Sequence, residues 1–165
     1  MNPDIYQLSA DIGKILGDQG ATVTFAESCT GGGVAHAITA VPGSSAWFGC
    51  GFVTYANSAK HRLLGVPAEL LNSQGAVSEP VVIEMAKGAV AAAGAEFGVA
   101  ISGIAGPGGG TVEKPVGTVW FCWTGPQGNL TQRHCFSGDR HQVREQAITI
   151  CLKQLLHQVT GYYTV

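Results

Sequence analysis

Charge is scarce in this sequence. Nine Lys and Arg and eleven Asp and Glu stand in 165 residues, for a net charge of −2. That balance argues against a broad nucleic-acid-binding face, which needs a basic surface. No apolar run approaches the length of about 20 residues that spans a bilayer, so no membrane segment is expected. The amphipathic start, "MNPDIYQLSADIGKIL", carries acids and is neither a secretory signal nor an Arg-rich transit peptide; a cytoplasmic location is expected. The five cysteines (29, 50, 122, 135 and 151) form no CxxC pair. Scattered cysteines in such a chain read as reduced thiols, and no His/Cys cluster has zinc spacing, so no metal is expected. Several catalytic signatures are missing as well. There is no Walker A motif, no GxGxxG opening a helix, no GxSxG elbow and no Ser-x-x-Lys of the penicillin-binding type.

The length suits a single domain, residues 1–165, with no linker, repeat or low-complexity tract. Helical spacing of Ile5, Leu8, Ile12, Ile15 and Leu16 predicts a first helix over about 4–18. A buried strand over 21–26 and a helix over 30–40 follow. The run 46–56, "AWFGCGFVTYA", reads as a strand with a glycine-marked irregularity. Asn57 or Ser58 is expected to cap a short helix through Leu64, with a turn at Gln74-Gly75. Ser78 then caps a long Ala- and Gly-rich helix whose small residues imply close packing. Strands are expected over 98–102, 117–123 and 130–136, the last two as a hairpin, before a final helix opening at "SGDRHQVRE". This order implies a three-layer α/β/α domain with a mixed sheet.

Four segments could carry chemistry. In "FAESCTGGGVAHAI", Ser28 stands where a strand gives way to a helix. Backbone N–H groups there, with Gly31 and Gly32 as the expected donors, could form an oxyanion hole. Ser28 or Thr30 as a plain helix cap is the alternative. In "TYANSAKHRLLG", Lys60 falls in a first helical turn, where the helix dipole disfavours its charge and favours a neutral general base. Tyr55 could bridge the two side chains, although a solvent-facing lysine fits the same pattern. None of the five histidines has a setting that recommends it as the base. The loop "SGIAGPGGGTVEKPVG" leaves a strand with enough glycine to meet a ligand through its backbone, or simply to connect a hairpin. Arg140 and Arg144 are four apart at the start of the last helix, either a phosphate grip or exposed partners for Asp139 and Glu145.

Together, "TFAESCTGG", "PGSSAWFGCGFVTYANSAK", "GAVSEPVV", "ISGIAGPGGG…EKPVGTVWF" and "FSGDR…VR" resemble the CinA C-terminal-domain family in its stand-alone form. The resemblance runs in family order from about residue 20 to 145. It implies an amidase that hydrolyses the amide of nicotinamide mononucleotide to nicotinate mononucleotide and ammonia, in pyridine-nucleotide recycling. It implies Ser28 as nucleophile, Lys60 as base and Tyr55 beside them. The enzyme would be a homodimer that needs no metal or cofactor. Substrate contacts are then expected from Thr30, Gly31, Gly32, Gly103, Ala105 and Gly106, with Arg140 or Arg144 on the phosphate. Two other readings remain: a thiol hydrolase using Cys29, and a non-enzymatic nucleotide-binding module.

Overall fold

The computed structural model describes residues 1–164. In chain order the elements are α1 (Pro3–Gln19), β1 (Val23–Glu27), α2 (Gly33–Thr39), a single 3-10 turn (Ser44–Ala46) and β2 (Phe52–Val53). Then come α3 (Asn57–Leu64), α4 (Ala68–Gln74), α5 (Glu79–Ala93), β3 (Phe97–Gly103), β4 (Thr118–Gly125), β5 (Gly128–Cys135) and α6 (Arg140–Tyr163). The strands form one sheet in the order β2-β1-β3-β4-β5. β1 runs parallel to β2 and β3, while β4 and β5 add as antiparallel strands. The expected mixed sheet and its closing hairpin are present.

Alternation along the strands divides the core in two. Phe25, Val99, Ile101 and Phe121 point to one face, where α1, α2 and α6 cover them. Ala26, Ala100 and Cys122 point to the other, under α3, α4 and α5. Large side chains on the first face and small ones on the second let α5 lie close to the sheet. The close packing expected of α5 is realised against α3, where a Cβ on Gly88 would fall 1.9 Å from the Leu64 carbonyl oxygen. The last helix starts with a capping box between Asp139 and Gln142.

Four expectations differ from the structure. Residues 46–56 make only a two-residue strand. Trp47 turns down onto Gly13 and Gly17 of α1, so the segment follows β1 through isolated bonds, Val23 N–H to the Trp47 carbonyl and the Thr24 hydroxyl to the Cys50 carbonyl. Neither Asn57 nor Ser58 caps α3. Ala56 holds the cap position without a side-chain bond, and both polar residues lie in the first turn. The turn expected near Gln74 closes a seven-residue helix, α4, too short to show a helical period. At α5, Ser78 holds the cap position but its hydroxyl turns back to the Gly75 carbonyl at 2.7 Å.

The parallel strands β1, β2 and β3 all end at the same edge of the sheet. Ser28 follows β1, Thr54 and Tyr55 follow β2, Ser102 and Gly103 end β3, and Ile104 to Gly106 leave it. Parallel α/β sheets bind ligands at this carboxyl edge.

Candidate active site

Ser28 is held at the end of β1 by its N–H, which donates to the Ile101 carbonyl at 2.9 Å. The chain then bends through Cys29 and Thr30 into Gly31 and Gly32, whose φ angles of +58° and +96° require glycine. Glu27 organises this bend from below. It is 1% exposed, and its carboxylate accepts from the Thr30 hydroxyl (2.6 Å) and from the N–H groups of Gly32 (3.1 Å), Val34 (3.1 Å) and Ala35 (2.9 Å). It therefore serves the unpaired donors at the start of α2, where a negative charge is favoured. Arg144 ties the same bend from the α6 side, donating through Nε to the Cys29 carbonyl and through Nη2 to the Thr30 carbonyl, both at 3.1 Å.

Lys60 reaches Ser28 from α3. It is 1% exposed, and its Nζ lies 3.0 Å from Ser28 Oγ, 2.8 Å from the Thr54 carbonyl and 3.2 Å from the Tyr55 carbonyl. Burial pushes the Lys60 pKa down from its usual 10.5. The lowering is in the direction expected for a base at this position, with desolvation as its main cause. A neutral amine has two N–H groups and one lone pair. With both N–H groups on the two carbonyls, the lone pair faces the Ser28 hydroxyl, the arrangement a base needs to take its proton.

The Tyr55 side chain does not bridge this pair. Its ring is 59% exposed, and its hydroxyl accepts from Arg140 Nη2 at 2.9 Å. Arg140 also donates through Nη1 to the Gly106 carbonyl at 2.8 Å, which fixes it across the mouth of the site. Cys29 is close by but unsuited to attack. Burial pushes its thiol up to about 11, so the nucleophilic thiolate is scarce at neutral pH.

A cavity of about 300 Å³ opens over Ser28 and Lys60, and Gly103, Ile104, Ala105, Gly106 and Arg140 are among its walls. Besides the Lys60 amine, the Arg140 guanidinium and no acid line it, so an anionic ligand is favoured there. A larger hollow of about 490 Å³ beside Phe136 and Gln142 holds neither the nucleophile nor the base; the chemistry selects the smaller one. Of the residues singled out from sequence, Ser28, Tyr55, Lys60, Gly103, Ala105, Gly106 and Arg140 meet here. Thr30, Gly31, Gly32 and Arg144 lie outside the walls. The Gly31 N–H donates to the Ser28 carbonyl and the Gly32 N–H to Glu27, so neither is free for an oxyanion. The N–H groups of Cys29 and Thr30 have no partner among the described residues. Sequence reasoning missed Asn57 and Ser102 on the cavity wall.

A sequence profile of the CinA C-terminal domain matches residues 5–159. The chain belongs to the CinA C-terminal domain family. Among its relatives, the nicotinamide-nucleotide amidohydrolase PncC of Escherichia coli K12 is 58% identical over 94% of each chain. A protein of the same name from Pseudomonas putida is 53% identical over 94% of this chain and 97% of its own. Among solved structures, the competence/damage inducible protein CihA of Agrobacterium tumefaciens superposes with a TM-score of 0.93 at 41% identity, covering 95% of this chain and 96% of that one. A CinA superfamily protein of Klebsiella pneumoniae gives 0.91 at 39% identity over 95% and 98%. The α/β fold is thus that of the CinA superfamily. No helix among the described residues is long and apolar enough to cross a membrane, and none of their His, Cys, Asp and Glu residues group as metal ligands.

Proposed function

We propose that this protein hydrolyses the carboxamide of nicotinamide mononucleotide, releasing ammonia and nicotinate mononucleotide, through a Ser28–Lys60 pair. The observation that carries the proposal is the buried Lys60 amine, 3.0 Å from Ser28 Oγ with both of its other contacts on carbonyls. The names of the E. coli and P. putida relatives point to the same substrate.

In this mechanism Lys60 takes the Ser28 proton as Oγ attacks the amide carbon. The oxygen of the tetrahedral intermediate turns to the free N–H of Cys29, on the cavity wall. The Lys60 ammonium then gives its proton to the nitrogen, the C–N bond breaks, and ammonia leaves. A water that loses a proton to Lys60 attacks the Ser28 ester and frees the acid. Arg140, on the cavity wall, takes the phosphate. Tyr55 contributes its carbonyl to the base and its hydroxyl to Arg140, and Arg144 holds the nucleophile's bend. The protein acts as a cytoplasmic homodimer in pyridine-nucleotide recycling, with no metal and no nucleic-acid partner.

The test is ammonia release from nicotinamide mononucleotide, nicotinamide riboside and free nicotinamide. The mononucleotide is expected to be used best, and Ser28→Ala to abolish release while leaving binding largely intact. A Ser28→Ala variant within a few-fold of wild type would remove Ser28 as nucleophile. Nucleotide binding without ammonia release by the wild type would favour a binding module.

A further inference from the structure

The last paired residues of β1 and β3 are Glu27 and Ile101. One step further, the Ser28 N–H still bonds the Ile101 carbonyl, so Ser28 and Ser102 remain side by side. Glu27 and Ile101 serve the face under α1, α2 and α6. Side chains alternate, so Ser28 and Ser102 share the opposite face, where Lys60 descends. Neighbouring strands lie about 4.8 Å apart, which places the two serines next to each other on that face. Ser102 is 1% exposed and lines the cavity. Its hydroxyl makes no hydrogen bond among the described residues and is not one of their buried unpaired atoms, so it is open to the cavity.

We infer that Ser102 is a substrate-contacting residue whose Oγ accepts a hydrogen bond from the N–H of the carboxamide under attack. The inference rests on the amide-hydrolysis reading. A carboxamide needs a donor for its oxygen and an acceptor for its nitrogen. The backbone N–H of Cys29, on the cavity wall, supplies the first. The carbonyls of Thr54, Tyr55 and Gly106 are engaged by Lys60 and Arg140, and the open Ser102 hydroxyl offers an acceptor on the strand position next to the nucleophile. Contact there turns the amide so that its carbon faces Ser28.

The test compares two substrates within each variant: nicotinamide mononucleotide, and the methyl ester of nicotinate mononucleotide, which has no amide N–H. Wild type is expected to cleave both. Ser102→Ala should lower kcat/KM on the amide by roughly three- to ten-fold, the worth of one neutral hydrogen bond. The ester should change by less than about two-fold. The ratio of the two cancels any general damage, and Ser102→Cys, with a poor acceptor of similar size, should shift it the same way. An unchanged ratio in both variants overturns the inference, whether both rates fall or neither does. Wild type that releases no ammonia overturns the proposed function itself, and this inference with it.

Discussion

Replacing Glu27 by glutamine keeps the size of the side chain and one acceptor oxygen but removes the charge. The remaining oxygen can stay where Oε2 now accepts from Thr30, Gly32 and Val34. The new amide NH₂ must then face the Ala35 N–H, now 2.9 Å from Oε1, donor against donor. With Glu27 only 1% exposed, water does not make good the loss. A hydrogen bond to a charged group is worth about 1.5–3 kcal/mol. For a domain of this size each kcal/mol lowers Tm by about 2–4 °C. Glu27→Gln should therefore melt about 3–12 °C below wild type, followed by circular dichroism. Because the bend that carries Ser28 hangs from the same carboxylate, kcat should fall while KM changes little. A variant that melts within a degree of wild type and keeps its kcat would refute the view that this carboxylate builds the nucleophile's bend.

Lys60→Arg should lose activity as fully as Lys60→Met, since a guanidinium stays charged and accepts no proton; an active Lys60→Arg would reduce the lysine to electrostatic positioning. In the wild type, pre-steady-state acylation should rise with pH through an ionisation below 10.5, because the neutral form is the base and burial lowers its pKa; a rate that falls over that range would have the wrong sign. Arg140→Ala should cut kcat/KM for the mononucleotide by about ten- to a hundred-fold and spare the riboside, which has no phosphate to lose. Arg144→Ala, which frees the Cys29 and Thr30 carbonyls, should instead lower both substrates equally, and selective loss on the mononucleotide would return the phosphate to Arg144.

The layered fold was legible because periodicity and turn residues report local geometry directly. Ile5, Ile12 and Leu16 mark the buried face of α1, and Gly20 ends it in a left-handed turn. The strand expected over 46–56 failed because Val, Phe and Tyr report only a taste for extended chain, while Trp47 finds its partner 30 residues earlier in α1. Ser28 and Lys60 could be singled out by type and setting. Their meeting depends on the crossing of α3 over the sheet edge, a tertiary fact. The two arginines illustrate the limit. Four residues apart, they share a helix face in sequence, yet Arg140 reaches the cavity and Arg144 the back of the nucleophile's bend. A longitudinal shift of one turn, about 5.4 Å, is enough to separate ligand from scaffold. Glu27 was visible as an acid beside a serine, but its four donors come from the fold of the next eight residues. Ser102 gave no local signal, since only its register against Ser28 singles it out.

Burial lowers the Lys60 pKa, but the contacts that position its amine come from main-chain oxygens, at Thr54 and Tyr55. The Thr54 hydroxyl itself is buried without a partner among the described residues, and the Tyr55 ring points away from the amine. The base is thus specified by the path of the chain leaving β2 rather than by the identity of the residues along it. The amine bonds no side chain at 54 or 55, whereas a one-residue insertion or deletion between β2 and α3 would disarm the lysine without touching it. Surveys of substitutions alone would overlook this vulnerability; changes in loop length would expose it.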